Sequence, residues 1–458
     1  MPWTPLNPQR RVLNATSLSY VIVILDTSIV NVALEPIAAS LGASVAGLQW
    51  VVTAYTLAFA SLLLSGGALG DRIGAKPTYI AGLLIFALAS ALCALAPSLP
   101  VLIAARVLQG IGAALLVPCA LALITAAYPT PDGRARAIGI WAGFGGIAMA
   151  AGPLVGGLLI HLLGWRSIFF VNLPIALVGT WLASRIEAVA PPAPASRRLD
   201  ALGQVLVIVA LALSVALLIE GERLGWQNAW VRMGTCTAVA AWVLFLRVES
   251  RTRDPLMPLR LFRSSAFCAA TVVSLVSALV FYGLFFLLSL YFQTLRGWPP
   301  LRTGCAFLPL TACVTAGSFW SGTLTRSYGP RPVVGAGFLL YAAGFTGLYA
   351  LSADTPYWRA ALCFPIVGLG SGLITPAATT LLMGAAETAR AGVAAGVLNA
   401  SRQTGSAFGV AIFGALLGGA ASMATSIRTA VGTAIALSLS ANLLWVLALR
   451  KRTEGTAG

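Results

Sequence analysis

Long runs of apolar residues recur along the whole chain, and short polar stretches that carry most of the charge separate them. An α-helix needs about 20 residues to cross a bilayer, and the runs have this length. The pattern predicts an all-α polytopic membrane protein. Its fourteen predicted spans lie near residues 13–36, 47–69, 78–97, 100–121, 137–160, 167–185, 200–220, 229–246, 267–291, 304–324, 332–352, 357–382, 392–418 and 429–449.

Composition and charge support this interpretation. The 458 residues are 59% apolar and only 9% charged, whereas soluble domains carry about 25% charged residues. The net charge of +16 would suggest nucleic-acid binding in a soluble protein. Here, however, 20 of the 29 Lys and Arg residues fall in loops on one predicted side and seven on the other. This bias places both termini in the cytoplasm and the protein in the cell membrane, with lipid rather than nucleic acid as its partner.

A repeat organises the chain. The stretch Gly67–Pro77 and the stretch Gly322–Pro332 share glycine, leucine, basic and proline positions at an offset of 255 residues. Gly110 and Gly112 recur as Gly368 and Gly370 at an offset of 258. Two related halves are a common transporter design. We therefore expect a six-helix half at 1–186, a linker with two inserted spans at 187–265, and a second six-helix half at 266–458.

Asp26 and Arg106 are charged residues inside predicted spans. A charge at bilayer depth costs roughly 2.5 kcal/mol or more, so an intramembrane acid indicates function. Protonation removes that cost, which makes Asp26 a candidate for proton coupling. Asp26 is the obvious partner for Arg106, directly or through water. A structural helix-pairing role for Asp26 and snorkelling of Arg106 to an interface remain alternatives.

Several motifs resemble those of the major facilitator superfamily, and within it the fourteen-span drug:proton antiporter group. They are Leu25–Leu34 in the first span, Gly67–Lys76 after the second, Arg106–Gly112 in the fourth, and Gly139 with Gly152–Gly156 in the fifth. The resemblance implies a non-enzymatic, proton-coupled exporter of hydrophobic or cationic drugs or natural products that works by alternating access. A proton-coupled uptake transporter for a small metabolite is the alternative, and the fifth-span motif argues against it.

Glycines, one proline and two charges are predicted to control conformational gating. In the loop motif, glycines allow a tight turn, and a carboxylate can pair in one conformation only. In the fifth span, small residues allow close helix packing and a proline supplies a bend. Retention of basic residues on the cytoplasmic side and generic small-residue packing are the alternatives. The predicted gating residues are Gly67, Gly70, Asp71, Arg72, Gly74, Gly152, Pro153 and Gly156.

Aromatic and polar side chains inside spans are candidates for an apolar cavity that binds a small-molecule substrate. They are Asn31, Tyr55, Gln109, Trp141, Phe144, Tyr282, Phe285, Arg402 and Gln403. Seven cysteines without a CxxC pair and a single histidine predict no metal site. No phosphate-binding loop is present in the sequence, so we expect no cofactor and no ATP-driven pump. A monomer that exchanges substrate for protons is the expected unit.

Overall fold

The structure, a computed structural model, describes residues 7–187, 200–252, 254–352, 354–385, 391–418 and 423–450. The proline-rich stretch 190–195, part of the predicted linker, lies outside these residues. The described residues form seventeen α-helices, which are α1 (Pro8–Ile29), α2 (Leu34–Leu41), α3 (Val45–Ile73), α4 (Ala75–Ala94), α5 (Leu99–Ala127), α6 (Pro131–Leu163), α7 (Ser167–Phe170), α8 (Asn172–Ser184), α9 (Ala201–Leu224), α10 (Ala229–Arg251), α11 (Ser265–Leu290), α12 (Pro300–Ala306), α13 (Leu308–Tyr328), α14 (Pro330–Leu348), α15 (Tyr357–Ala385), α16 (Ala391–Gly418) and α17 (Met423–Arg450).

Each of the fourteen predicted segments coincides with a long helix or with two consecutive shorter ones. Among the described residues, however, twelve helical segments are long and apolar enough to cross a membrane. The two that fall outside this set are α14, which is rich in glycine, and α16, which carries Asn399, Arg402 and Gln403. The all-α membrane fold is therefore confirmed, while the predicted count of fourteen spans exceeds the twelve that length and hydropathy support.

The sequence repeat has matching backbone geometry. Gly74 separates α3 from α4 with φ 102°, and Gly329, 255 residues later, separates α13 from α14 with φ 80°. Positive φ is accessible to glycine at little cost and is rarely adopted by other residues. The same tight turn thus connects both helix pairs, which explains why the sequence keeps glycine at both positions.

Helix packing follows the same repeat. A side chain at Gly112 in α5 would lie 2.8 Å from the backbone nitrogen of Phe86 in α4. A side chain at Gly370 in α15 would lie 2.7 Å from the carbonyl oxygen of Gly337 in α14. Small residues let helices in a membrane approach closely, which replaces the hydrophobic driving force that operates in water. The helix pairs α4–α5 and α14–α15 are therefore equivalent elements.

Helix α9 packs along both α3 and α16. The Gln204 amide donates to the carbonyl oxygen of Ser61 at 2.8 Å, and the indole of Trp50 donates to Glu220 at 3.1 Å. Val215 and Ile219 of α9 form a small buried cluster with residues of α16 that include Ala407. Helix α10 packs in turn on α9. The two predicted extra segments thus lie beside the contact between α3 and α16.

Candidate transport site

The first span is interrupted close to its predicted functional acid. Helix α1 ends at Ile29, a 3₁₀ turn covers Val30–Ala33, and α2 continues from Leu34. Pro36 lies in the first turn of α2, where a missing backbone N–H disrupts no helical hydrogen bond. Asp26 is one turn before the interruption, and its side chain is fully buried.

Asp26 forms an ion pair with Arg106 of α5. The arginine Nη1 donates to the carboxylate Oδ2, and its Nε donates to the carbonyl oxygen of Val51 at 3.0 Å. The guanidinium also lies over the Tyr55 ring, 4.4 Å from the ring centroid. Asp26 is 0% exposed and Arg106 is 1% exposed. Arg106 therefore does not snorkel to an interface, and the two charges compensate each other inside the protein.

Neutral polar groups complete the contacts of the carboxylate. Gln109 donates to Asp26 Oδ1 at 2.8 Å and to the Ser90 hydroxyl at 2.9 Å. Asn172 at the start of α8 donates to Asp26 Oδ1 at 3.2 Å. All three direct partners of Asp26 are donors, an arrangement that suits a charged carboxylate. Helices α1, α4, α5 and α8 thus meet at one acid.

Ser90 and Asn172 are site residues that the sequence did not predict, unlike Asp26, Arg106 and Gln109. Both are fully buried. A neutral serine or asparagine within a membrane helix costs much less than a charge, so its presence carries a weak signal.

Glycines of α6 bring it into close contact with α1 and α12. A side chain at Gly156 would lie 2.5 Å from Ile29, and one at Gly157 would lie 2.7 Å from the Leu301 Cα. Gly304 of α12 packs directly on the Pro153 carbonyl oxygen. Gly152 and Gly156 thus face α1, and Pro153 faces α12, which the sequence could not specify.

Further contacts in this region connect the two repeat units with each other. The Gln49 amide of α3 donates to the carbonyl oxygens of Val410 at 3.1 Å and Ala411 at 2.8 Å in α16. The Ser289 hydroxyl of α11 donates to the Asn31 carbonyl oxygen. These contacts lie at the end of the helices opposite to the Gly74 and Gly329 turns. We call the end with these turns the basic end, because the sequence assigns most Lys and Arg residues to it.

A cavity of about 570 Å³ opens at the basic end between α3, α5 and α16. Gly67, Gly70, Asp71 and Gly74 line one side of it, and Gly392–Asn399 of α16 contributes to the other. Asp71 is exposed and forms no ion pair with the described residues. Most predicted gating residues of the loop motif therefore surround an open space, while those of α6 lie in a packed contact.

The nine predicted cavity residues do not line this space. Tyr55 and Gln109 are buried around Arg106. Trp141 stacks on Tyr20 with ring centroids 3.7 Å apart, and Phe285 packs on Phe307 at 4.4 Å. Aromatic side chains in this conformation thus serve helix packing, because rings bury more surface against each other than against an open cavity.

The other predicted cavity residues have different surroundings. The Asn31 amide donates to the Thr27 carbonyl oxygen at 3.1 Å, and its own side-chain oxygen is buried without a partner among the described residues. Phe144 is 44% exposed. Arg402 and Gln403 are half-buried on α16. Tyr282 of α11 lies within electrostatic range of Arg402.

Comparison with known proteins finds a match to one family profile and to several named proteins. Residues 16–410 match the sequence profile of the Major Facilitator Superfamily. A Methylenomycin A resistance protein of Streptomyces coelicolor is 38% identical over 88% of this chain and 84% of its own length. The Tetracenomycin C resistance and export protein of Streptomyces glaucescens is 36% identical over 88% of this chain and 74% of its own length.

Two further proteins extend the comparison. Multidrug resistance protein Stp of Mycobacterium tuberculosis is 38% identical over 88% of this chain and 74% of its own length. The crystal structure of a peptide transporter with bound sulfate superposes with a TM-score of 0.71 and covers 96% of this chain and 94% of that one. Its sequence identity is 17%, so this likeness concerns the fold alone.

Proposed function

Because the chain belongs to the Major Facilitator Superfamily, we propose that it is a secondary exporter of drugs or toxic natural products driven by protons. The relatives named for antibiotic resistance or efflux support export. The buried Asp26–Arg106 pair is the observation that supports proton coupling. It places an ionisable carboxylate at membrane depth, in contact with specific hydrogen-bond donors. We propose that Asp26 alternates between this charged, paired state and a protonated state.

The proposed architecture has fourteen spans and a cytoplasmic basic end. Helices α14 and α16 pack within the bundle, against α15 and α11 respectively, and a helix in contact with neighbours can cross the membrane despite glycine or polar content. Residues 1–186 and 266–458 then form the two halves, and α9 and α10 form an inserted pair.

Reporter fusions test this topology. Fusions at Ala195, which lies outside the described residues, and at Gly225, in the turn after α9, should report the cytoplasm and the outside respectively. The physical reason is the excess of Lys and Arg at the basic end. An outside signal at Ala195 would overturn the proposed topology.

The conformation supports alternating access. The helix ends around Gln49 and Leu301 are packed, whereas the basic end holds an open cavity. With the basic end in the cytoplasm, the structure represents the inward-facing state. Closing the cavity would bring Asp71 towards the first turn of α16 across it, and the positive end of a helix stabilises a carboxylate. We propose that this contact forms only in the outward-facing state.

The variant Asp71→Asn tests the proposed latch. Transport should slow by about two- to fivefold, the effect of losing about 0.3–1 kcal/mol of carboxylate–helix interaction in one conformation. Equilibrium substrate binding should change little. Transport rate and binding are measured on one preparation, and Asp132→Asn, an exposed acid in the first turn of α6, is the control. Loss of binding with unchanged conformational exchange would contradict the latch.

Efflux of a fluorescent dye tests the function itself. Cells that express the protein should accumulate less of at least one dye from a panel of anionic and cationic fluorescent dyes than control cells do, and a protonophore should abolish the difference. This result follows if the proton gradient supplies the driving force. A difference that persists after the gradient has collapsed would argue against proton coupling.

A further inference from the structure

Arg402 is a second intramembrane cation, and it lacks the compensation that Arg106 has. It lies near the middle of α16 and is half-buried. It forms no ion pair or hydrogen bond with any residue in the described part of the chain. Charged side chains within membrane spans pair with one another or mark a substrate path. The charge of Arg402 therefore needs a partner.

No carboxylate among the described residues serves this purpose. Asp26 lies deep within the first span, but it is already paired with Arg106 and shielded from solvent. Glu35 is exposed beyond the 3₁₀ turn, and Glu220 pairs with Arg223 of α9. None of these described acids balances Arg402, which leaves its guanidinium available to an anionic ligand.

The surroundings of Arg402 come from both repeat units. Tyr20 of α1 and Tyr282 of α11 both lie within electrostatic range of its guanidinium. Neither hydroxyl forms a hydrogen bond within the described ranges, so both remain available as donors. Tyr20 also stacks on Trp141, which holds its ring in place. The guanidinium thus lies where the two halves meet, the expected location of a transported ligand.

The same face of α16 carries further polar groups. Asn399, Arg402, Gln403 and Ser406 follow the spacing of one helical stripe. Ser406 is 1% exposed, and its hydroxyl has no hydrogen-bond partner among the described residues. Asn399 lines the cavity at the basic end, one turn from Arg402. The stripe therefore begins at the cavity and continues along α16 to the cation.

We infer that Arg402, with Tyr20 and Tyr282, binds the anionic group of the exported compound, and that the substrate class is organic carboxylates. This inference rests on the proposed export function and specifies its substrate. A guanidinium binds a carboxylate through two parallel hydrogen bonds, and the tyrosine hydroxyls can add a third and a fourth. Asp26 does not recognise a cationic substrate in this conformation, because Arg106 occupies the carboxylate.

A binding panel tests the inference. The probes are aryl carboxylic acids, their methyl esters, and the cation ethidium, and the measurement is ligand-induced thermal stabilisation of the purified protein in detergent. At least one acid should stabilise the wild type far more than its ester does. Arg402→Gln should weaken binding of that acid by about tenfold or more, because a charged hydrogen-bonding group is lost. Arg402→Lys should retain preference for the acid over the ester.

A control variant tests whether the effect is specific to Arg402. Arg359→Gln removes an exposed arginine that lies over Trp358, and it should leave acid binding unchanged. Equal stabilisation by acids and esters, absence of binding by every acid, or unchanged acid binding in a folded Arg402→Gln protein would each overturn the inference. Failure of the proposed function would give a different result. No probe would then show gradient-driven transport in proteoliposomes, whatever the binding data.

Discussion

Asp26→Asn is expected to reduce proton-driven efflux to the background of empty membranes while the protein remains folded. Asparagine keeps the size of the side chain and its place beside Arg106 and Gln109, but it cannot exchange a proton. Movement of the two halves then has no protonation step to which it can be linked. The measurement is uphill efflux from proteoliposomes with an imposed proton gradient.

Downhill exchange of substrate provides the control for Asp26→Asn. Exchange needs conformational change but no net proton movement, so a folded variant should retain it. Uphill transport by a well-expressed Asp26→Asn protein would remove the coupling role from this residue and leave it a helix-packing role. Glu35, exposed near the C-terminal end of the first span, would then be the next acid to test.

Arg106→Gln and Asp26→Asn are both expected to lower stability, because each breaks the buried ion pair. Removal of one partner of a buried pair costs about 3–5 kcal/mol when the other partner stays charged. The double variant Asp26→Asn/Arg106→Gln removes both charges and should recover most of that loss. Thermal unfolding of the three variants and the wild type in one detergent gives the comparison.

The matched control is the exposed ion pair of α9. Arg223→Gln breaks its pair with Glu220 at the surface, where such pairs contribute about 0–1 kcal/mol. It should unfold close to the wild-type temperature. If the double variant were as unstable as Arg106→Gln, the loss would come from packing of the arginine with Tyr55 and Val51 rather than from an uncompensated charge.

The sequence predicted features that carry a large energetic signal. An intramembrane charge is costly, so Asp26 and Arg106 stood out and their pairing could be inferred. The repeat offset of 255 predicted equivalent turns, and Gly74 and Gly329 both adopt positive φ. Membership of the Major Facilitator Superfamily, inferred from the motifs, is confirmed by the profile match over residues 16–410.

Other features depend on tertiary packing and could not be predicted. Asn172 contacts Asp26, and Ser90 accepts hydrogen bonds from Asn172 and Gln109. The low cost of both residues in a membrane hides them in a sequence. Trp141 and Phe285 were placed in a cavity because they are aromatic, yet each packs on another ring. Composition does not specify which face of a helix meets a neighbour and which meets an open space.

Proton movement during substrate transport tests the central claim most directly. Purified protein is reconstituted into liposomes that contain a pH-sensitive dye, and an outward or inward gradient of a transported substrate is imposed without a pH gradient. Our account predicts that protons move opposite to the substrate and that Asp26→Asn abolishes this movement. Protons that move with the substrate, or substrate transport without any proton movement, would contradict it.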